Sequence, residues 1–435
     1  MHFFRPVHIK INKNDLWEDI MGKKTISFLT ACILLFTLCT TVFADQTTQQ
    51  TGAAANEEIV DENTIYAAQT AAEEMAQTIK AKSAVLMDAD SGTVLMTLNE
   101  NEAVYPASVT KIMSLLLVCE AIDNGSVKLS DNVTISETAA SRGGSQIWLE
   151  TGETMTVEEL LKATAVYSAN DACTALGEHI AGSDEAFVSM MNNKAVELGM
   201  TNTNFENCTG LDDTAVNHLT TAYDVAVMSR ALLQHPFITQ YTTIWMDTLR
   251  NGETEIVNTN KLIRFYNGAT GLKTGTTDKA GCCVSASASR NGLHLIAVVM
   301  GAENSNDRFE AAKTMLNWGF SNYENYQPVI DKSLLYDVQV IKGEQRSLHP
   351  VCAQNPEKIL LKKGNSDTIS QKVELAESVE APVRAGQKLG SVQFYEKDTL
   401  LTEIPLVAGE NVDKMGFFTA VVLLLQSFRS QEDKT

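Results

Sequence analysis

The spacing of apolar residues changes along this chain of 435 residues, and the changes predict where helices and strands lie. β-Branched and alternating residues predict strands at 83–88 and 94–98, with Asp90-Ser91-Gly92 as the turn between them. Apolar residues at helical spacing predict helices at 108–124, 157–166, 171–181, 184–198 and 222–233. Strands at 271–276, 282–289 and 294–300 and a helix near 308–318 follow. We therefore expect a mixed α and β domain over residues 76–328.

A different pattern, of short β segments separated by turn signals, runs from Val329 to Val407. Lys342-Gly343 and Lys363-Gly364-Asn365 are two of these turns. The pattern predicts a second, all-β domain over residues 329–410. Polar and small residues without apolar periodicity begin at Asp45 and predict a flexible leader over residues 45–75.

The N-terminus carries the pattern of an export signal. Lys23 and Lys24 precede an apolar run from Ile26 to Leu38, and small residues at Val42 and Ala44 suit cleavage before Asp45. We expect a signal region over residues 1–44, with Met21 as a possible true start. The alternative is a transmembrane anchor, but the run is shorter than the roughly 20 residues that cross a bilayer.

Composition excludes several classes of function. The formal charge of −20 is spread along the chain without a basic stripe, so we predict no nucleic-acid partner. The seven histidines show no His-Glu-x-x-His pair and the cysteines no Cys-x-x-Cys pair, so we predict neither a metal site nor a cofactor. The even number of cysteines after residue 44 permits disulfides, but a chain of this size does not need them, so we expect mostly buried, reduced thiols among Cys119, Cys173, Cys208, Cys282, Cys283 and Cys352.

The first of three short motifs is Ser108-Val109-Thr110-Lys111, which begins a predicted helix after Pro106. Residues i and i+3 share a helix face, so the Lys111 ammonium can reach the Ser108 hydroxyl. A serine becomes a good nucleophile when a neighbouring base takes its proton, and a lysine can do so when burial or another cation lowers its pKa. The alternative for a lone match is a capping serine with a solvated lysine.

The second motif is Ser168-Ala169-Asn170, between two predicted helices. Its serine can relay a proton, and its asparagine can hold Lys111 and a substrate amide. Ser130-Asp131-Asn132 spells a variant of the same motif, but it follows the end of the first long helix. We interpret that segment as a turn and assign the role to Ser168 and Asn170.

The third motif is Lys273-Thr274-Gly275 on a predicted strand. Lys273 supplies positive charge, Thr274 a hydroxyl, and Gly275 allows a ligand backbone to approach closely. The alternative is an exposed strand end with a turn glycine. The ordered set of three motifs carries the functional prediction, because this order is the one that penicillin-binding and β-lactamase chemistry uses.

The motifs and their flanks resemble those of the serine DD-peptidase superfamily, in its D-alanyl-D-alanine carboxypeptidase branch of low-molecular-mass penicillin-binding proteins (peptidase S11). The flanks are Tyr105-Pro106-Ala107-Ser108, Asn170-Asp171-Ala172-Cys173 and the run from Gly271 to Gly281. The resemblance covers Thr78 to Phe320, and residues 329–407 by type only. Thr270 departs from it, because the family commonly has aspartate there. It implies an α+β fold, with a β-lactamase/DD-peptidase-like antiparallel sheet and helices on both faces.

The resemblance also implies roles for the motif residues. Ser108 would be the acylated nucleophile, Lys111 its general base, and Ser168 with Asn170 the proton relay and substrate clamp. Lys273 would lower the Lys111 pKa and help to bind the substrate carboxylate with Thr274, while Gly275 completes the substrate-binding strand. The backbone N–H groups of Ser108 and Thr276 would form the oxyanion hole. Arg308 would bind the terminal carboxylate, or else be an arginine on a helix surface.

The C-terminus predicts contact with a membrane surface. Met415 to Leu425 is almost wholly apolar between Lys414 and Arg429, and as a helix it would be about 16 Å long, too short to span a bilayer. We expect an interfacial amphipathic helix within residues 411–435. The alternative is a terminal helix packed on the protein.

Together these features predict an exported serine D-alanyl-D-alanine carboxypeptidase at the outer face of the cytoplasmic membrane. Its partners would be peptidoglycan stem peptides and β-lactam antibiotics. A β-lactamase shares the three motifs but needs a second base, and no Glu-x-x-Leu-Asn segment follows Asn170. A catalytically silent wall-binding scaffold on the same fold is the other alternative, against which the intact Ser108, Lys111 and Lys273 argue.

Overall fold

The structure is a computed structural model that describes residues 71–417 and 420–422. The predicted signal region at residues 1–44 lies outside the described residues, as do most of the predicted leader and most of the predicted C-terminal helix. The three motifs all lie within the described part of the chain.

The elements follow the predicted order. The helices are α1 (Lys111–Asp123), α2 (Glu137–Ala140), α3 (Val157–Lys162), α4 (Asn170–Ala181), α5 (Asp184–Glu197), α6 (Ala222–Leu233), α7 (Thr239–Thr242), α8 (Leu262–Phe265) and α9 (Ser305–Asn322). The first strands are β1 (Ser83–Asp88), β2 (Val94–Leu98), β3 (Asn132–Thr134), β4 (Thr154–Thr156), β5 (Met246–Leu249), β6 (Thr254–Val257), β7 (Ala269–Thr277), β8 (Gly281–Arg290) and β9 (Leu293–Ala302). The later strands are β10 (Tyr323–Tyr326), β11 (Val338–Ile341), β12 (Ser347–Leu348), β13 (Pro350–Cys352), β14 (Ile359–Lys362), β15 (Ile369–Leu375), β16 (Ser378–Glu380), β17 (Lys388–Glu396) and β18 (Thr399–Ala408).

A five-stranded sheet organises the first part of the chain. Its order is β2-β1-β9-β8-β7, and every neighbouring pair is antiparallel. The hairpin β1-β2 therefore lies in the same sheet as three strands that come after most of the helices in the sequence. The helices between them are brought against this sheet. The strand β7, which carries Lys273-Thr274-Gly275, lies at one edge.

Helices cover both faces of this sheet, as predicted. Successive side chains of a strand point to opposite faces, so β1 divides its residues between two cores. Val85 and Met87 pack in the core that contains α1 and α6, whereas Ala84 and Leu86 pack in the core that contains α9. The predicted α+β architecture is confirmed.

The helix α1 lies in the larger core. Every residue from Lys111 to Cys119 is buried, so the helix has no solvated face over this length. Lys111 is consequently fixed inside the protein at the start of the helix. Its position sets the electrostatics of the site described below.

The chain from Val338 onward forms the predicted all-β part. It contains sheets of order β12-β11-β16 and β13-β18-β17-β15, while β10 pairs with β14. Buried apolar residues form two small cores, one around Val338 and Val383 and the other around Phe394 and Leu406. The C-terminal all-β domain is confirmed.

Some boundaries differ from the sequence predictions. Residues 71–76 are helical and Ala76 is buried, so the predicted leader overlaps ordered structure at its end. The predicted helix at 157–166 divides, because α3 ends at Lys162 and a π-helical turn follows at Ala163–Tyr167. Val412 packs in the β-domain core, so the predicted terminal helix cannot start at 411.

The six cysteines in the described part of the chain are unbonded thiols, as expected. All are buried except Cys352, which is half-buried. Cys282 and Cys283 are adjacent residues of β8, and Cys282 packs with the core of α9 whereas Cys283 packs with the core of α1. The strand geometry therefore separates them, as the sequence predicted.

Candidate active site

The three motifs converge from three different elements. Ser108 lies in a 3-10 turn, Ala107–Thr110, which leads directly into α1 with Lys111 as its first residue. Ser168 ends the π-helical turn, and Asn170 begins α4. Lys273 comes from the edge strand β7, which passes alongside the 3-10 turn.

Lys111 connects the first two motifs. Its Nζ lies 3.0 Å from Ser108 Oγ, 2.5 Å from Asn170 Oδ1 and 2.8 Å from the carbonyl oxygen of Thr209. An ammonium has three donors, and these three acceptors use all of them. The side chain is held in one place, with the Ser108 oxygen within proton-transfer distance.

Burial lowers the pKa of Lys111 from 10.5 to about 8, while the nearby Cys173, Cys208 and Asp171 act in the opposite direction. Taking a cation out of water disfavours its charged form, so the neutral amine becomes accessible near physiological pH. At pH 7 about one lysine in ten would then be neutral and able to accept a proton. The geometry and the pKa together make Lys111 a competent base for Ser108.

Ser168 has a backbone conformation that most residues avoid. Its φ is 68°, in the left-handed region, at the junction between the π-helical turn and the next helix. Such turns and conformations are uncommon and occur often at functional sites. The hydroxyl is buried and makes no hydrogen bond to any residue in the described part of the chain. It is therefore available to a ligand.

Asn170 joins Lys111 to a loop at residues 141–150. Its side-chain amide accepts from Lys111 and donates through Nδ2 to the Gly143 carbonyl at 2.7 Å. Its backbone N–H donates to the carbonyl of Ser145, also at 2.7 Å. The side-chain amide retains a second N–H for a substrate carbonyl.

Gly275 sets the distance between β7 and the nucleophile. A Cβ at this position would lie 2.9 Å from both the Pro106 oxygen and the Ser108 nitrogen, closer than a carbon atom can approach backbone. Glycine is therefore required for the strand to pass alongside the 3-10 turn. The close approach seen here is to the protein's own backbone, and the expected approach of a ligand backbone stays a prediction.

Lys273 is 1% exposed, and its Nζ donates to the Thr274 carbonyl at 3.2 Å. Burial lowers the pKa of Lys273 well below its ordinary value, and repulsion from Lys111 lowers it further. The expectation that the charge of Lys273 lowers the pKa of Lys111 is wrong, because burial is the cause that lowers the Lys111 pKa. The hydroxyl of Thr274 donates to Thr259 Oγ1 at 2.7 Å.

Arg308 is not an arginine on a helix surface. It is 7% exposed, and its Nη1 donates to the Gly275 carbonyl at 3.0 Å and to Thr276 Oγ1 at 2.9 Å. Its Nη2 reaches Ser305 Oγ at 3.3 Å. The guanidinium is therefore hydrogen-bonded to the strand that carries the third motif and lies next to the hydroxyl of Thr276.

Ser130-Asp131-Asn132 has the turn structure predicted for it. The carboxylate of Asp131 accepts from the Lys128 N–H at 2.8 Å, and Asn132 begins β3. The strand β3 pairs with β4. The segment takes no part in the contacts around Lys111.

Two groups that contribute to the site were not predicted from the sequence. The Thr209 carbonyl binds Lys111, but a main-chain acceptor leaves no signature in residue type. The buried carboxylate of Asp171 accepts from the N–H groups of Ile147 and Leu149, at 3.1 Å each. Its position directly after Asn170 was visible, but its partners in the loop were not.

A serine held by a buried lysine, an asparagine on that lysine and a second lysine on an edge strand define the class of serine acyl-transfer enzymes that use lysine as the base. Residues 68–304 match the D-alanyl-D-alanine carboxypeptidase family, peptidase S11, and residues 323–414 match the C-terminal domain of penicillin-binding protein 5. The chain belongs to the D-alanyl-D-alanine carboxypeptidase family.

The similarity extends over most of the chain. The D-alanyl-D-alanine carboxypeptidase DacF of Bacillus subtilis is 40% identical over 91% of this chain and 96% of its own length. DacC of Escherichia coli is 33% identical over 82% and 90%. Penicillin-binding protein 5 of Haemophilus influenzae matches with a TM-score of 0.66 at 31% identity, covering 77% of this chain and 98% of that one.

A further solved structure bears on ligands. Penicillin-binding protein D2 of Listeria monocytogenes, in its ampicillin-bound form, matches with a TM-score of 0.51 at 31% identity, over 56% of this chain and 98% of that one.

Proposed function

We propose that this protein is a serine-type D-alanyl-D-alanine carboxypeptidase that removes the terminal D-alanine from peptidoglycan pentapeptides through an acyl-enzyme on Ser108. The observation that carries the proposal is the 3.0 Å contact between Ser108 Oγ and a fully buried Lys111 whose pKa is lowered to about 8. The family membership of the chain supports the same reaction.

Acylation begins when neutral Lys111 takes the proton of Ser108. The serine oxygen then attacks the carbonyl carbon of the penultimate D-alanine, and the backbone N–H groups of Ser108 and Thr276 bind the oxyanion. The peptide bond breaks as a proton passes to the leaving amine, and we assign the relay of this proton to the Ser168 hydroxyl, which is buried and has no hydrogen-bond partner among the described residues. The products are an ester on Ser108 and free D-alanine, and water then hydrolyses the ester.

The substrate's terminal carboxylate binds at the third motif in this proposal. Lys273 offers the N–H donors that its bond to the Thr274 carbonyl leaves unused, and Thr274 offers its hydroxyl once that group turns from Thr259 Oγ1 to the carboxylate. Gly275 keeps this part of the strand beside Ser108. Arg308 contributes indirectly, because its hydrogen bond fixes Thr276 Oγ1 and its positive charge adds to the attraction for the carboxylate.

We also propose an extracytoplasmic location, with export by the signal at residues 1–44. The division into a catalytic domain at 76–328 and a β-rich domain at 329–410 belongs to the same proposal. In the described residues, none of the helices combines the length and the apolar character needed to cross a bilayer. The apolar run from Met415 to Leu425 would then hold the protein at a membrane surface as an interfacial helix.

Mass spectrometry of the products from a synthetic pentapeptide tests the reaction. The expected products are the tetrapeptide and one equivalent of free D-alanine, and absence of both contradicts the proposal. A parallel incubation with labelled penicillin distinguishes the alternatives. A carboxypeptidase retains the label on Ser108, a β-lactamase releases it rapidly as hydrolysed drug, and a silent scaffold is never labelled.

A further inference from the structure

Trp148 occupies an unusual position in the loop at residues 141–150. Its side chain is 76% exposed, and its backbone φ is 58°, in the left-handed region that bulky residues avoid. A residue stays in such a conformation where its surroundings fix the backbone. Here the protein holds a large aromatic ring out in solvent, at a conformational cost that core packing does not explain.

One side of the loop is fixed by the buried carboxylate of Asp171. It accepts from the N–H groups of Ile147 and Leu149, the residues on either side of Trp148. Asp171 is fully buried, so these bonds are shielded from water. The backbone N–H groups of the two residues that flank the tryptophan are therefore held in place by Asp171.

The other side is fixed by Arg250, from the turn that joins β5 to β6. Its Nη1 donates to the Ile147 carbonyl at 2.9 Å and its Nη2 approaches the Trp148 carbonyl at 3.5 Å. The guanidinium is itself held by the Glu153 carboxylate, with contacts of 2.7 and 3.1 Å. The Asp171 carboxylate thus binds the backbone N–H groups around Trp148, and the Arg250 guanidinium binds the C=O groups.

This loop adjoins the catalytic asparagine. Gly143 accepts from the Asn170 side chain and Ser145 from its backbone N–H, each at 2.7 Å. Trp148 follows Ser145 by three residues, which places its backbone within about 13 Å of Asn170. An extended peptide acylated on Ser108 covers a distance of that order with three or four residues.

We propose that Trp148 is a substrate-binding residue whose indole face packs against the part of the stem peptide that precedes the D-alanyl-D-alanine end. This inference rests on the proposed function and adds a binding position to it. The fixed backbone keeps the ring oriented before the substrate arrives, which reduces the entropy lost on binding. Trp148 would favour long peptides over short ones while leaving the chemistry at Ser108 untouched.

The test compares two substrates in Trp148→Asn and Trp148→Phe. Asparagine tolerates a positive φ and so leaves the loop backbone in place, while phenylalanine keeps an aromatic face. In Trp148→Asn, kcat/KM for a synthetic pentapeptide is expected to fall about tenfold, as loss of about 1.4 kcal/mol of contact would produce. The kcat/KM for a blocked D-alanyl-D-alanine dipeptide and the rate of penicillin acylation should change less than twofold. Trp148→Phe should recover most of the loss.

Tyr336→Asn is the matched control, because Tyr336 is also an exposed aromatic residue but lies in the β-rich part of the chain. It should leave both substrates unchanged. Equal losses for long and short peptides, no loss at all, or a loss that appears only when a sugar is attached to the peptide would each overturn the proposal. A wild-type protein that cleaves neither peptide and binds no penicillin would remove the proposed function itself, and the inference with it.

A second measurement covers the case in which Trp148→Asn does not fold. Pentapeptide binding to Ser108→Ala should change the tryptophan fluorescence, and adding Trp148→Phe should abolish that change. Persistence of the full change without Trp148 would also refute the inference.

Discussion

The rate of Ser108 acylation should rise with pH over a narrow range, because burial of Lys111 sets the pKa of the base. The pKa of Lys111 falls from 10.5 to about 8 because the side chain is fully buried. This shift corresponds to about 3 kcal/mol of discrimination against the charged form. About a tenth of the protein would hold neutral Lys111 at pH 7, half at pH 8 and nine-tenths at pH 9. The second-order rate of acylation should therefore rise about fivefold from pH 7 to 8 and only about twofold from pH 8 to 9.

Fluorescent penicillin and rapid quenching would measure this profile, with the protein's stability checked at each pH. A lysine with an ordinary pKa would instead give a tenfold rise for every unit up to about pH 10. Such a rise, or a flat profile between pH 6 and 9, would refute the role assigned to burial.

Lys273→Met extends the same experiment to the second buried lysine. The charge of Lys111 lowers the pKa of Lys273, but Lys273 is not among the causes of the lowered Lys111 pKa. Removing Lys273 should therefore leave the acid limb of kcat/KM near its wild-type pH, well below the pH expected for a solvated lysine. A limb that moves to higher pH would show that Lys273 is charged while Lys111 titrates.

Three further predictions concern other parts of the molecule. Ser108→Ala should abolish penicillin labelling in a folded protein, with a drop in unfolding temperature that reflects only the lost bond to Lys111; a retained adduct would place the nucleophile elsewhere. Deleting residues 416–435, which spares the buried Val412, should release the protein from membranes without lowering turnover of a soluble peptide; lost turnover in a folded truncation would assign the segment a structural role. Burial lowers the pKa of His218 from 6.5 to about 4, so the unfolded chain binds more protons within that range, and stability should fall as pH decreases from 6.5 towards 4. Thermal unfolding should show a weaker dependence in His218→Gln, and an equal dependence would exclude this histidine as the cause.

Much of the fold was predictable because local signals agreed with the tertiary structure. The strands at 83–88 and 94–98 match β1 and β2, since β-branched spacing and the Asp90-Ser91-Gly92 turn indicate the same hairpin. The helix at 222–233 also matches α6, where the Thr221 hydroxyl accepts from the Asp224 N–H at 3.0 Å. Boundaries failed where a turn changed type within a helix, as at Ala163–Tyr167, because apolar spacing does not distinguish a π-helical turn from an α-helix.

The site was predictable to the extent that it depends on residues close in sequence. The spacing of Ser108 and Lys111 predicts their contact, and the structure places their side chains 3.0 Å apart. The burial that lowers the Lys111 pKa arises from elements distant in sequence, so the sequence could not show that burial, and not the charge of Lys273, is the cause. The bonds from Arg308 to β7 join residues 32 and 33 positions apart, and no local pattern indicates them.

The contact between Gly275 and the turn that bears Ser108 has a consequence for the evolution of drug resistance. Even a single methyl group at this position would meet the Pro106 oxygen and the Ser108 nitrogen at 2.9 Å, and neither backbone atom can rotate away as a side chain can. A larger residue there would force β7 or the turn of Ser108 to move, whether the natural peptide or an antibiotic is bound. We therefore expect Gly275→Ala to lower peptidase turnover and penicillin acylation together, so that this position gives no resistance without a loss of peptidase activity.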